Sequence, residues 1–343
     1  MLIVMKEDIG SEQIDKLVKY LSNHAVEVQL IKSDNRAVIE LNNANESIDK
    51  KQLLVFPGVD KVIHLTEPYK LVNKKLINKN TIIKVDNLQI GGDDPVIIAG
   101  PCSVESEKQI IDTAWIVKEY GGNILRGGAF KPRTSPYSFQ GLREEGLQFL
   151  YKAKTETGLP IVTEVVNIND VPFVEEYVDI LQVGSRNMQN YELLKAVGRS
   201  SKPVLLKRAM SANLSEFLMS AEYIMAEGNK DIILCERGIR TFVEYSRNTL
   251  DLAVVPALKQ KTHLPIIVDP SHATGRSDLV EPMSMAALAA GAHGLMVEIH
   301  PNPIESISDA NQALNPQEFS NLMYKVKHFI EWQKTYANTT PAY

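Results

Sequence analysis

Ile124-Leu125-Arg126-Gly127-Gly128-Ala129-Phe130-Lys131-Pro132-Arg133-Thr134-Ser135 is an apolar run that ends on a cation, turns on two glycines and continues with two more cations and two hydroxyls. The run reads as a short buried strand. Its sequel reads as a loop built for oxyanions, because guanidinium forks match phosphate or carboxylate oxygens in pairs and hydroxyls satisfy the remaining lone pairs. Pro132 fixes the local backbone, so less freedom is lost on binding. Taken alone, the same residues also suit a solvated basic loop.

The pattern is repeated. Short apolar runs at 96–99, 124–126, 160–163, 180–183, 204–207, 232–235, 266–269 and 294–299 alternate with helical periodicity near 106–120, 141–157, 169–177, 189–198, 213–227, 248–261, 279–290 and 316–335. Ser106 with Gln109 resembles a capping box, and Gly121-Gly122 ends the first of these helices. Eight βα units predict a closed (β/α)8 TIM barrel with its functional groups at the carboxyl ends of the strands. An open doubly wound sheet lacks its Gly-x-Gly-x-x-Gly turn here.

Ahead of the barrel, residues 1–66 read as a small ferredoxin-like βαββαβ domain, with Ile14, Leu17, Val18 and Leu21 on one helix face and Asp34-Asn35 at a hairpin turn. Such a unit is either a structural cap or a regulatory binding module. Residues 67–80, with Pro68 and several lysines and asparagines, read as a linker. The barrel domain then runs over 81–343, opening with a hairpin at Asp86-Asn87 that closes its bottom.

Composition bounds the function. Hydrophobic residues make up 44% and charged residues 23% of the 343, ordinary for a globular protein. No apolar run approaches the ~18 residues of a membrane span, and residues 1–6 are too short for a signal peptide, so a cytoplasmic protein is expected. A net charge of -5 argues against nucleic acid, and cations gathered into particular loops argue for small anionic ligands. Cys102 and Cys235 are too few for a disulfide framework; Cys235 lies within an apolar run and reads as core.

At or just beyond the strand ends stand Cys102, Arg126, Lys131, Glu164, Arg186, Lys207, Arg237, Asp269, His272, Glu298 and His300. In one closed barrel the cations among them converge, which is strongly unfavourable without a bound anion. Cys102, His272, Glu298 and Asp309 add S, N and O donors that suit a divalent transition metal acting as a Lewis acid and are too soft a set for magnesium. Singly, each has a plainer reading: buried filler, helix cap or ion-pair partner.

Ala99-Gly100-Pro101-Cys102-Ser103, Lys131-Pro132-Arg133-Thr134-Ser135, Gly184-Ser185-Arg186-Asn187, Leu205-Leu206-Lys207-Arg208, Cys235-Glu236-Arg237-Gly238, Asp269-Pro270-Ser271-His272 and Glu298-Ile299-His300-Pro301 together resemble the 3-deoxy-D-arabino-heptulosonate 7-phosphate (DAHP) synthase family over about residues 81–335. The resemblance implies condensation of phosphoenolpyruvate with erythrose 4-phosphate, the first step of the shikimate pathway to aromatic amino acids. Its sister family, the 3-deoxy-D-manno-octulosonate 8-phosphate synthases, uses arabinose 5-phosphate and shares most of these motifs. The Lys131–Ser135 stretch is similar to the four-carbon-sugar form. By the same resemblance Arg126, Lys131, Arg186, Lys207 and Arg237 would hold phosphoenolpyruvate, and Arg133, Thr134 and Ser135 the phosphate of the aldose; Asp269 is placed beside the phosphoenolpyruvate groups by its strand position only. Cys102, His272, Glu298 and Asp309 would bind Mn, Fe, Co or Zn, with Lys131, His272 and Cys102 at the reacting centre. The small domain would bind tyrosine or phenylalanine as a feedback inhibitor, and the assembly would be a homotetramer.

Overall fold

The structure, a computed structural model, describes residues 1–337 except 8, 24–26, 34–35, 43–49, 64–66, 78, 133–134 and 136. The turn expected at Asp34-Asn35, and His24, His64, Arg133 and Thr134, lie outside the described residues. The chain divides into two compact units, Met1–Pro68 and Tyr69–Tyr343.

The first unit runs β1 (Leu2–Met5), α1 (Ser11–Ser22), β2 (Glu27–Ser33), β3 (Arg36–Asn42), α2 (Lys50–Val55), β4 (Val59–Ile63). Its sheet has the order β2-β3-β1-β4, antiparallel at every described pairing, which is the ferredoxin-like arrangement. Helix α1 buries Ile14, Leu17 and Leu21, one stripe at helical spacing, in a core shared with Ile3, Met5 and Ile39 of the central strands. Helix α2 starts at Lys50, directly after residues 43–49, which lie outside the described residues.

The second unit begins earlier than composition suggests. Tyr69, Val72, Asn73 and Leu76, within the expected linker, are buried in the barrel unit. The Glu222 carboxylate accepts the backbone N–H groups of Lys70, Leu71 and Val72 at 2.8–3.0 Å, and Asn73 pairs with Thr262. Lysines and asparagines dominate the reading of this stretch, and its few apolar side chains follow no single period.

The hairpin β5 (Ile83–Val85) and β6 (Leu88–Ile90) precedes the eight βα units. These run β7 (Val96–Gly100), α3 (Glu107–Glu119), β8 (Ile124–Arg126), α4 (Glu144–Thr157), β9 (Ile161–Glu164), α5 (Val171–Val174), β10 (Ile180–Val183), α6 (Tyr191–Gly198), β11 (Val204–Lys207), α7 (Leu214–Ala226), β12 (Ile232–Glu236), α8 (Val254–Lys261), β13 (Ile266–Val268), α9 (Pro270–Thr274), α10 (Ser277–Ala289), β14 (Gly294–Glu298) and α11 (Pro316–Ala337). The strands are parallel and close into a barrel, with β7 between β14 and β8. Two expected helices are shortened: 169–177 yields only α5, and 248–261 yields only α8 from Val254. Residues 247–249 instead hydrogen-bond with Thr274, Ala273 and Ile239, in a long loop at the barrel mouth.

Strand periodicity then decides what the barrel contains. Val96, Ile98, Ile124, Val162, Ile180, Leu205, Ile233, Cys235, Ile267 and Met296 form one interior cluster, plugged by Ile83, Val85 and Ile90 of the hairpin. The alternate residues, such as Ile97, Leu125, Leu181 and Leu295, belong to the layer shared with the surrounding helices. Two positions beyond the apolar interior, the same alternation reaches Gly100, Arg126, Glu164, Gln182, Lys207, Arg237, Asp269 and Glu298. Among these Gly100 alone has no side chain. Its φ is +152°, and a Cβ there would lie 2.0 Å from the Arg126 carbonyl oxygen. Replacing Gly100 by Ala should therefore force β7 and β8 apart, lowering stability by about 1–3 kcal/mol and displacing Arg126. Thermal unfolding checks this; an unchanged melting temperature would refute the close approach.

Candidate active site

The polar layer opens into a cleft of about 410 Å³ at the carboxyl end of the barrel. Cations line it from several elements: Arg126, Lys131, Arg186, Lys207, Arg237, Arg240 and Arg247. The lining carboxylates are Glu164 and Asp309. This excess of positive charge gives the cleft an affinity for anions. Arg237 adds a sharper indication. It is buried, its Nη2 donates to the His272 carbonyl at 3.1 Å, and its Nη1 has no hydrogen-bond partner among the described residues. Burial pushes the Arg237 pKa down, against the pull of Asp269. A buried guanidinium nitrogen without an acceptor is suited to a ligand oxygen.

On the cleft floor the donor atoms of Cys102, His272, Glu298 and Asp309 lie within 4.8 Å of one another. Each arrives by a different route. Cys102 follows Gly100-Pro101 in a loop that keeps pairing with the next unit, through Val104 N–H to the Gly128 carbonyl and Gly128 N–H to the Cys102 carbonyl. Gly128 is required by this approach: a Cβ would fall 2.7 Å from Cys102 O and 2.8 Å from Lys131 Nζ. His272 enters on α9, which Asp269 caps by accepting the His272 N–H at 2.9 Å, with Pro270 in the first turn. Glu298 is the last residue of β14, and Asp309 is carried back to it by a loop that re-pairs through Leu314. Asp309 itself holds the left-handed conformation, at φ 57°.

The charges on this floor are locked together. Arg126 Nη1 meets Glu298 Oε1 at 2.9 Å and His272 Nε2 meets the same oxygen at 3.0 Å. His272 Nδ1 meets Asp269 Oδ2 at 2.7 Å, and Lys207 Nζ donates to that oxygen at 2.5 Å. Cys102 Sγ donates to Asp309 Oδ2 at 3.1 Å, whose Oδ1 accepts from Arg247 at 3.1 Å. Lys131 Nζ lies 2.8 Å from Cys102 O and 3.1 Å from Cys102 Sγ. Burial works against the charge on Glu298 and Asp269. The cations around them overcome it and hold both carboxyls well below their usual range. For His272 burial lowers the pKa, but Asp269 and Glu298 outweigh it and raise it to about 9.

The donor set fits a divalent transition ion: one sulfur, one imidazole nitrogen and two carboxylates, three of the four drawn from loops or a short helix around one strand end. Asp269 on Nδ1 fixes the ring so that Nε2 faces the cluster, the usual support for a metal-bound histidine.

Most expected residues meet here, with exceptions. Asp269 and Glu298 do not themselves line the cleft; both are fully buried beneath it, Asp269 with both oxygens engaged by Lys207 and His272. Ser135 is exposed and absent from the lining, its Oγ accepting from Tyr137 N–H. Arg133 and Thr134 lie outside the described residues. His300 is buried away from the cleft against Glu105. Gln182, Arg240, Arg247 and Asn248 line the cleft without having been anticipated; Gln182 carried a signal, as a lone polar residue inside a strand.

Comparison with known proteins identifies the relatives of the chain. The family model described as DAHP synthetase I family matches residues 74–332, and that described as DAHP synthase ferredoxin-like domain matches residues 1–67. The chain is 45% identical over 331 residues to phospho-2-dehydro-3-deoxyheptonate aldolase of Thermotoga maritima, covering 96% of this chain and 98% of the relative. It is 31% identical over 273 residues to 2-dehydro-3-deoxyphosphooctonate aldolase of Francisella tularensis subsp. holarctica, covering 74% and 95%. The crystal structure of the Thermotoga maritima DAHP synthase superposes with a TM-score of 0.78 at 44% identity, covering 96% of this chain and 97% of that one.

The raised pKa of His272 gives the site a pH signature. In the metal-free chain the imidazolium adds stability that is fully present below about pH 6.5 and is lost as pH rises through about 9. An ion needs the Nε2 lone pair, so uptake of Mn²⁺ at neutral pH should release at least one proton, and affinity should rise at least tenfold per pH unit until about pH 9. Calorimetry in two buffers of different protonation enthalpy measures this. A heat independent of the buffer would contradict it.

Proposed function

Because the chain belongs to the DAHP synthetase I family, we propose that it is a cytoplasmic, metal-dependent enzyme condensing phosphoenolpyruvate with erythrose 4-phosphate to give 3-deoxy-D-arabino-heptulosonate 7-phosphate and inorganic phosphate, the entry to the shikimate pathway. The observation that carries this reading is the pairing of a sulfur, nitrogen and carboxylate donor cluster with a cation-lined cleft directly above it.

In this reading Arg186, Lys207 and Arg237 hold the phosphate and carboxylate of phosphoenolpyruvate, with the unmatched Arg237 Nη1 supplying a buried donor. Arg126 is committed to Glu298 on one nitrogen and offers the rest of its fork to the cleft. Arg133, Thr134 and Ser135 take the phosphate of the aldose. Cys102, His272, Glu298 and Asp309 would hold a divalent transition metal, Mn, Fe, Co or Zn, which when bound would supply polarisation of the aldehyde carbonyl. The C3 carbon of phosphoenolpyruvate attacks that carbonyl, water adds at C2, and the resulting hemiketal phosphate loses phosphate with cleavage of the carbon–oxygen bond. Lys131, whose ammonium sits beside Cys102, donates the proton that the new alkoxide needs. Fixed charges on the floor orient both substrates without reorganising during the reaction.

The small domain, residues 1–66, acts in this proposal as a regulatory module that binds tyrosine or phenylalanine, in a homotetrameric assembly. Removing residues 1–66 should leave turnover intact and abolish inhibition by either amino acid; inhibition that persists places the effector site in the barrel. For the reaction itself, phosphate release from phosphoenolpyruvate should require erythrose 4-phosphate and a divalent metal, and should be lost in Lys131→Met. Turnover with arabinose 5-phosphate instead would assign the chain the octulosonate reaction. No phosphate release with either sugar would reject catalysis.

A further inference from the structure

Gln312 stands three residues after Asp309, at the end of a single 3-10 turn, and its backbone N–H closes that turn on the Asp309 carbonyl at 3.1 Å. Its side chain is entirely buried. The amide Nε2 donates to Glu298 Oε2 at 2.5 Å, whereas the amide Oε1 has no hydrogen-bond partner among the described residues. Packing does not account for a glutamine here. Methionine fills a similar volume without burying an unmatched polar atom, which costs stability. Nor is the reverse orientation of the amide available, since it would set Oε1 against an ionised carboxylate oxygen. What the side chain supplies is one donor, aimed at the Glu298 oxygen that Arg126 and His272 leave alone, for both of those meet Oε1.

We infer that Gln312 is a positioning residue of the metal site. By holding Oε2 it stops the Glu298 carboxylate from turning about its last bond, so that a fixed edge faces the cluster. The turn that carries it delivers Asp309 to the same point, which makes residues 309–312 a single brace for two of the four donors. Gln312 acts through Glu298 and touches no substrate. The inference rests on the reading of Cys102, His272, Glu298 and Asp309 as metal ligands. Groups that hold a ligand from behind commonly govern metal affinity.

The test uses the full-length, metal-free protein and its Gln312→Met and Gln312→Asn variants, titrated calorimetrically with Mn²⁺, with melting temperatures of the metal-free forms recorded alongside. Methionine has no donor, and the asparagine amide is a methylene short of Glu298. The Kd for Mn²⁺ should rise about 10- to 100-fold in both variants. Metal-free Gln312→Met should still unfold cooperatively but below the wild-type temperature, because the buried, ionised Glu298 Oε2 loses its donor. An unchanged Kd in a variant that folds, a lowered melting temperature with unchanged Kd, or failure of both variants to fold would make Gln312 part of the barrel's fabric and overturn the inference. Wild-type protein that is folded yet takes up no Mn²⁺ would instead withdraw the ligand reading on which it stands.

Discussion

Two carboxylates, Glu298 and Asp269, stay ionised where water does not reach them, and the organisation of the barrel mouth follows from that requirement. Arg126 and His272 converge on the first, Lys207 and His272 on the second, so a single imidazole ties the two acids together. Removing one member of such a pair leaves an uncompensated buried charge, a loss of about 3–5 kcal/mol. The network is therefore held as a whole. It also fixes geometry: His272 is pinned on both ring nitrogens, and the direction of the Arg126 side chain is set by Glu298.

Strands and loops contribute differently to the site. Arg126, Lys207 and Glu298 sit on parallel strands whose register is fixed by hydrogen bonds along the barrel, so their spacing is rigid. Asp309 comes from a loop and adopts a backbone conformation that side chains other than glycine, asparagine and aspartate rarely take. It is held there by Cys102 on one oxygen and Arg247 on the other. Aspartate is one of the few residues that combine this left-handed backbone with a carboxylate.

The barrel was legible because its strands are apolar runs, and the residue two positions past the last interior side chain of each must face the same way as that side chain. Arg126, Lys207, Arg237 and Glu298 could be read by that rule alone. Asp269 shows where the rule stops: facing inward is not the same as facing the cleft, and its neutralisation by Lys207 and His272 depends on neighbours from other strands. Arg240, Arg247 and Asn248 were hidden for another reason. Leu250, Leu252, Val254 and Val255 suggest helical periodicity from 248 onward, yet backbone pairing of Arg247, Asn248 and Thr249 with Thr274, Ala273 and Ile239 keeps them in the loop, and after a turn at 252–253 the helix starts only at Val254. Gln312 carries no signal in sequence, since an amide among small polar loop residues gains meaning only once Glu298 is beside it. The barrel unit reached back to Tyr69 unannounced, because the Glu222 carboxylate that gathers its backbone lies some 150 positions downstream.

The hairpin formed by β5 and β6 has a kinetic corollary. With Ile83, Val85 and Ile90 stopping the amino-terminal end, the barrel is a blind alley with traffic through one doorway. Whatever lodges deepest must arrive before, and depart after, anything seated nearer the entrance. Two ligands seated at different depths would then enter in a fixed order, without any need for one to reshape the pocket for the next.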